Sequence, residues 1–552
     1  MSEENILEEG KRLSESMLWS ILRDYYDRSG LTAWNSGSIP FYITNTPRLA
    51  AAWADVAVGY LRDLAQAELL DFEAPVYMVE LGSGSGRHGF LLLRALAELA
   101  QAHPLRNLKI CLVLADLSQR NLDFYRSHPR FETYLEAGRL DFACFNAEQD
   151  EMLELQYSGT TLRAGELKNP MIFVANYLLD SLSQDAFRVE SGELKECLPR
   201  LVAPADIDMD DPKLLKKIRV KYDYHEVDPD YYEDETWNAI LEEYRDRLGD
   251  TAFSFPVGPL NCLANLGRVA GGRLLFLTAD KAWSRIADLV GLDDPDPVLH
   301  GGGFSMTVNF HALDVYLNKL GGLALHSTLR DAVLEASAFV LEPGLEDFPE
   351  SGLAFEKAIE DFGPIDFFSV KECLQSEIKE PSLRLAIDLL RLSRWDPQTL
   401  YDFSEALLER VEHADPDVQR EVRIALLRVW DNFYSIGDEI DVPFEIARIF
   451  YRLDHYLDAV KFYRVSLDMF GYHKMTVHNV GLCYYYMREL EEALHWFDRA
   501  LELDADYGPS REWRLRVKAE MGEVSEAYRP LYASGERLRA VPQSPRKTTP
   551  VG

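Results

Sequence analysis

The chain reads as an α/β protein, a seven-stranded doubly wound (Rossmann-like) domain followed by an all-α helical repeat domain. Three observations predict this. From Pro75 to about 345, short apolar runs bounded by turn residues alternate with helical stretches, the pattern of a parallel sheet covered by helices. Beyond about 345 such runs stop and helical periodicity dominates, as in PSLRLAIDLLRLSR and YDFSEALLERVEHA. Near the C-terminus the sequence resembles itself at a fixed offset of 34 residues, the mark of a repeat array.

The elements follow in order. Residues 1–75 form an N-terminal helical segment of the α/β domain, with helical patterns at Met17–Tyr26 and Arg48–Leu70 around a loop, Gly30–Pro47, rich in Gly, Pro and Asn. The α/β domain proper spans 76–345. Its candidate strands are Val76–Leu81, Leu108–Ala115, Leu140–Phe145, Met171–Ala175, Leu274–Thr278, Leu323–Thr328 and Ser337–Leu341, with a helix at His311–Leu320. At about 204–236 a polar, Pro-containing stretch bearing Asp206, Asp208, Asp210, Asp211, Asp228 and Asp230 interrupts it. That stretch is expected as a solvated surface insertion. A helical linker region at 346–440, repeats at 441–534 and a disordered tail at 535–552 complete the chain.

Composition narrows the function classes. At 552 residues, 47% of them apolar, two or three domains with sizeable cores are expected. The net charge of −34, from 92 acidic and 58 basic residues, repels phosphate backbones and disfavours nucleic-acid binding. Six scattered cysteines with no C-x-x-C pair argue for free thiols in a reducing compartment and against a structural zinc. The acidic N-terminus lacks the apolar core of a signal peptide, and no 18-residue apolar run exists. A cytoplasmic location without a membrane span is therefore expected.

In the repeat, YLDAVKFYRVSLDM superposes on LEEALHWFDRALEL. Ala459 pairs with Ala493, Phe462 with Trp496 and Tyr463 with Phe497; upstream, Ala447 pairs with Gly481. A weaker third copy falls at Glu526-Ala527. Small residues let helices approach closely and aromatics fill the gap to the next repeat. This 34-residue pattern resembles the tetratricopeptide family, whose members bind proteins or peptides on a concave face. The resemblance implies a protein partner; the plain alternative is self-association or capping of the α/β domain.

Chemistry concentrates in VYMVELGSGSGRHGFLLLRAL. A buried strand ends in Glu80, and Gly82, Ser83, Gly84 and Gly86 lead into a helix starting near Arg87. Glycines so spaced let the backbone turn tightly and leave room for a ligand across the strand's carboxyl edge. Gly84-x-Gly86-x-x-Gly89 also fits a dinucleotide loop. Against that reading, the next strand-end acid, Asp116, follows Gly86 by 30 residues, where dinucleotide folds place it after about 20. Glu80 lies two residues before the first glycine, as in the E/D-x-G-x-G-x-G loop of S-adenosylmethionine (SAM) methyltransferases. SAM is accordingly the expected cofactor. Asp116 would take both ribose hydroxyls, or cap the following helix. Asn146, ending the third strand, would read the adenine edge or form a turn. Asn176 and Asp180 emerge from the fourth strand in MIFVANYLLDSLSQDAF, at the edge that in methyltransferases faces the methyl group, as catalytic candidates; loop capping or an Asx-turn is the plain alternative. His88 and His300 read as turn or packing residues.

With these segments in place, residues 15–340 resemble the MidA-like family, which includes the mitochondrial complex I assembly arginine methyltransferase. IPFYITNTPRLAAAWADV, VELGSGSGR, ANYLLDSL and HGGGFSMTVNFHAL match its motifs in order. The resemblance implies a class I methyltransferase domain that transfers methyl groups from SAM to an arginine on a partner protein. Glu80, Gly82, Gly84, Gly86 and Asp116 would hold SAM, with Asn176 and Asp180 on the acceptor side. Two positions depart from the pattern: Tyr177 stands where the family has glutamate, and Asn309 where it has aspartate. A guanidinium acceptor needs carboxylates to orient it, so a catalytically silent scaffold and a small-molecule methyltransferase are the rival readings.

Overall fold

A computed structural model describes residues 4–31, 42–99, 105–209, 211, 213–328, 334–437 and 440–522. The chain divides into two compact units, residues 1–369 with 434–437, and residues 370–433 with 438–552.

Seven strands form the central sheet of the first unit: β1 (Val76–Leu81), β2 (Ile110–Asp116), β3 (Leu140–Cys144), β4 (Met171–Asn176), β5 (Leu274–Asp280), β6 (Leu323–His326) and β7 (Glu335–Leu341). Their spatial order is β6-β7-β5-β4-β1-β2-β3. Strands β1 to β5 run parallel, while β7 is antiparallel to both β5 and β6. All seven predicted strands are present, with ends shifted by no more than two residues. Their continuous apolar runs have a direct cause, because both faces are covered. Met78, Leu112, Leu114, Ile172, Val174 and Leu277 enter one core with Trp53 and Tyr60. Their neighbours Val79, Val113, Phe173 and Phe276 enter the other, with Leu263 and Leu313. Alternate side chains thus point to opposite layers, and neither layer meets water.

The first layer is led by the helix Pro47–Gln66, started by Thr46, whose hydroxyl accepts from the Leu49 N–H at 3.2 Å, and by Pro47 in the first turn. Gly59 lets this helix meet Pro349–Phe355 closely, since a Cβ there would lie 2.7 Å from the Glu350 carbonyl.

A second sheet departs from expectation. Glu4–Glu8, Asp185–Glu190, Glu193–Pro204, Arg219–Glu226 and Thr251–Phe255 form a five-stranded antiparallel sheet. Residues 1–75 therefore contribute a strand besides helices. The acidic stretch 204–236 is not simply a surface loop: Arg219–Glu226 pairs along its whole length with Glu193–Pro204, and Leu214 and Leu215 are buried. Its exposed face is charged, so the strand lacks the apolar signature that marks the central ones. Asp210 lies outside the described residues.

The second unit is helical, and in it Val442–Arg452, Tyr456–Phe470, Lys474–Tyr486, Leu490–Leu503 and Gly508–Glu520 follow one another. Ala447, Ala459 and Ala493 are fully buried. A Cβ on Gly481 would sit 2.7 Å from the Phe497 ring, which is why this mid-helix position is glycine. The third copy at Glu526-Ala527 and the tail at 535–552 lie outside the described residues. Among the described residues no helix is long and apolar enough to cross a membrane, and no His, Cys, Asp and Glu cluster could hold a metal. All six cysteines are free, Cys144 and Cys373 exposed and the others buried.

Candidate functional site

A cavity of about 660 Å³ opens at the carboxyl ends of β1, β2, β4 and β5. It lies where the sheet order reverses between β1 and β4, the position at which doubly wound sheets bind ligands. Parallel register brings the strand ends together, with Glu80 beside Leu114 and Val174, and Asn176 beside Ala279.

The floor is the loop after β1. Gly82, Gly84 and Gly86 have φ of +61°, +54° and +75°, left-handed values that side chains resist. The turn is closed by Gly86 N–H donating to the Ser83 carbonyl at 2.8 Å, and Ser83 N–H reaches the Ala115 carbonyl at 3.1 Å on β2. The helix Arg87–Leu99 follows at once. Beneath the loop, a Cβ on Gly86 would lie 2.9 Å from the Tyr125 ring and 3.0 Å from the Tyr434 hydroxyl. Tyr434 belongs to the short segment 434–437 counted in this unit. It stacks on His128 at 3.9 Å between ring centroids, and its carbonyl accepts from Arg87 at 3.3 and 3.2 Å.

Two acids lie at the β1–β2 end of the cavity. Glu80 is buried, with one carboxyl oxygen lacking any partner; burial raises its pKa to about 8, against the pull of a Ser83 hydrogen bond. Asp116 accepts from the Gly84 N–H at 2.9 Å and the Ser118 N–H at 2.8 Å. Burial raises its pKa, while these N–H donors hold it down. Asp116 thus ties the glycine loop to the turn after β2 while lining the cavity; the helix that follows starts at Ser118 without a side-chain cap. Ser83 and Asn146 also line the cavity. Asn146 spends its side-chain oxygen on the Glu148 N–H at 3.0 Å, an Asx-type turn.

At the other end, the Asn176 side-chain oxygen accepts from the Trp53 indole at 3.0 Å. That bond orients the amide and leaves its buried NH₂ without a partner. Tyr177 lines the cavity at φ +50°, uncommon for a bulky residue and frequent at functional sites. Asp180 is buried and accepts from the Ser181 hydroxyl at 3.0 Å. Its pKa rises to about 6 through burial, opposed by Lys281. Asp280, at the end of β5, accepts three backbone N–H groups, from Leu179 at 2.8 Å, Asp180 at 3.3 Å and Lys281 at 2.9 Å. Burial, then the charge of Asp180, raises its pKa strongly.

Three residues that the sequence reading did not select sit beside this pair. Lys281 Nζ lies 2.8 Å from His300 Nε2 and 3.4 Å from Ser305 Oγ, and His300 Nε2 lies 2.9 Å from Ser305 Oγ. All three line the cavity, as does His88, which is buried in the first turn of the helix Arg87–Leu99. Their distance along the chain hid them; the one local signal was that Lys281 directly follows β5. Asn309, by contrast, is outside the cavity lining. It is fully buried and caps the helix Phe310–Lys319, accepting from the Ala312 N–H at 3.1 Å and donating to the Ser254 carbonyl at 3.3 Å. Its difference from the family's aspartate therefore bears on helix capping.

The strand order, the antiparallel β7 and the glycine loop after β1 define the class I methyltransferase fold. In comparisons with known proteins, the tetratricopeptide repeat family matches residues 476–507. No curated protein sequence matches. Similar solved structures include an uncharacterised protein from Burkholderia thailandensis, at 12% identity and a TM-score of 0.36, covering 60% of this chain and 89% of that one. Another is a candidate methyl transferase of the same superfamily and organism, bound to S-adenosyl-homocysteine, at 13% identity and a TM-score of 0.31, covering 58% and 74%.

Proposed function

We propose that the first unit is a SAM-dependent methyltransferase whose protein acceptor is recruited through the helical repeats. The observation that carries the cofactor reading is the left-handed glycine loop tied by its Gly84 N–H to Asp116 at the mouth of the cavity. The residues fit the group: any side chain at Gly82 or Gly86 would enter occupied space, and a carboxylate facing the cavity suits a pair of ribose hydroxyls. When bound, SAM supplies a methyl group on a sulfonium, an electrophile whose sulfide is already a good leaving group. The protein's task is then positioning and exclusion of water. Gly82 and Gly84 leave space for the donor, Asp116 fixes its sugar, Asn146 borders the base, and Asn176 with Asp180 faces the methyl group. The MidA-like resemblance points to arginine as the acceptor, with Asp180 the carboxylate that would orient it, and the free cysteines suit a reducing, cytoplasmic compartment.

Calorimetric titration of the full chain with S-adenosyl-homocysteine tests this. Binding is expected, and Asp116→Ala should weaken it ~10- to 100-fold, the worth of a hydrogen bond to a charged group. Absence of binding by the wild-type chain refutes the enzyme reading and leaves the scaffold.

A further inference from the structure

We infer that Lys281 is a positioning residue for the acceptor: it keeps the Asp180 carboxylate ionised beside a second buried carboxylate, so that a cationic guanidinium finds its charge partner. The inference rests on the arginine-methyltransferase reading above and concerns how the acceptor end of that site stays charged.

Asp180 and Asp280 are buried together beyond the ends of β4 and β5. They differ in what they face. Asp280 spends Oδ2 on the backbone N–H groups of Leu179 and Asp180, and Oδ1 on that of Lys281. Asp180 lines the cavity, and Asp280 does not. The Asp180 Oδ1 accepts from the Ser181 hydroxyl at 3.0 Å. Its backbone carbonyl accepts from the Met306 N–H at 2.9 Å, which fixes the residue against the hairpin of Val298–His300 and Gly303–Ser305. Of the two acids, Asp180 is therefore the one a ligand can meet.

Adjacent carboxylates out of water disfavour each other's ionised form, and a neighbouring cation reverses this. Lys281 supplies that cation. Its ammonium lies 2.8 Å from His300 Nε2 and 3.4 Å from Ser305 Oγ. An ammonium can only donate, so Nε2 accepts, the imidazole is neutral and the positive charge stays on Lys281. Both of these partners belong to the hairpin, and Lys281 acts on Asp180 as a nearby charge. It opposes the rise that burial imposes on the Asp180 pKa, which stands at about 6. Among the described residues, the other titratable groups facing Asp180 are Asp280 and Tyr26. Tyr26 comes from the helix Met17–Ser29 and is neutral, its pKa raised by burial. His300 meets Asp180 only through Ser305, whose hydroxyl serves both. An ammonium in this place also repels an incoming guanidinium, and pH separates the two effects.

The test uses the full chain saturated with S-adenosyl-homocysteine and titrated by calorimetry with methylguanidinium, the tip of an arginine side chain, between pH 5 and 9. Wild-type affinity should rise with pH through a midpoint near 6, where Asp180 gives up its proton, and then level off. In Lys281→Met, and in the polar neutral variant Lys281→Gln, the midpoint should move up by ~1–3 units, the usual effect of losing a close opposite charge, so that binding at pH 6 falls at least ~5-fold. By pH 9 the curves should meet or cross, because the repelling ammonium has gone. Lys281→Arg should restore the wild-type midpoint. Asp180→Asn should bind poorly at every pH, with or without Lys281. Retained S-adenosyl-homocysteine binding certifies that each variant is folded. An unchanged midpoint in the neutral variants, or a loss equal at every pH, overturns this inference alone. A wild-type chain that takes S-adenosyl-homocysteine but not methylguanidinium removes the arginine reading and this one with it. Failure to bind S-adenosyl-homocysteine removes the methyltransferase reading altogether.

Discussion

Glu80 offers a sharp test of how the glycine loop is built. Its carboxyl is wholly buried against Gly89, where even a methyl group would meet it at 2.5 Å, and its pKa is raised from 4.5 to about 8. The folded protein therefore holds this proton across a range in which the unfolded chain has released it. The sign follows from linkage: where the native state binds more protons, stability falls as pH rises. The loss begins near pH 4.5, runs to about pH 8 and then levels off. At 1.36 kcal/mol per unit the full span is worth about 5 kcal/mol, and about 4 kcal/mol is already lost at pH 7.5. Glu80→Gln keeps the shape and removes the titration. Guanidinium unfolding of both ligand-free proteins between pH 5 and 9 should show converging stabilities at the acid end, and a variant more stable by several kcal/mol at pH 8. Parallel pH profiles, or a variant weaker at pH 8, would refute the claim that burial dominates at this carboxyl.

Two further outcomes are expected. Gly481→Ala should lose up to ~2 kcal/mol, because crowding against the Phe497 ring at 2.7 Å costs ~1–3 kcal/mol against a helix-propensity gain of ~1 kcal/mol; adding Phe497→Leu should recover most of it in the same unfolding assay. Asn309→Asp keeps a capping oxygen but replaces the donor to Ser254 with a buried charge, so stability should fall by ~1–3 kcal/mol with S-adenosyl-homocysteine affinity unchanged. A rise in affinity or turnover would place Asn309 at the acceptor site after all.

The fold was legible where physics is local. Seven strands showed themselves because burial on both faces demands unbroken apolar runs, and the glycine loop because left-handed backbone demands glycine. The five-stranded sheet was hidden for the opposite reason. Arg219–Glu226 is charged and mostly exposed, and the sheet's other strands are spread from residue 4 to residue 255. The site divided in the same way. Glu80, Gly82, Ser83, Gly84, Asp116, Asn146, Asn176 and Asp180 all border one cavity, and each could be placed from its position at a strand end. Gly86 does not line it and acts from below, as the turn that admits Tyr125 and Tyr434. Lys281, His300 and Ser305 converge only through tertiary structure, so no spacing announced them. Asn309, noted in the sequence only as a departure from a family aspartate, caps a helix away from the cavity lining, a placement that tertiary structure alone decides.

The segment 434–437 has a consequence for how this protein can be made, cut or inherited. Tyr434 underlies the loop that would cradle the donor, yet it is encoded some 350 positions after that loop. A gene fragment ending at Ser369 would contain the whole glycine-loop motif and still lack the side chain packed beneath that loop. During synthesis, the ribosome must have passed residue 437 before the packing beneath the glycine loop can be completed. A cut after Ser369 that releases the second unit as a cassette would carry this segment away from the first unit.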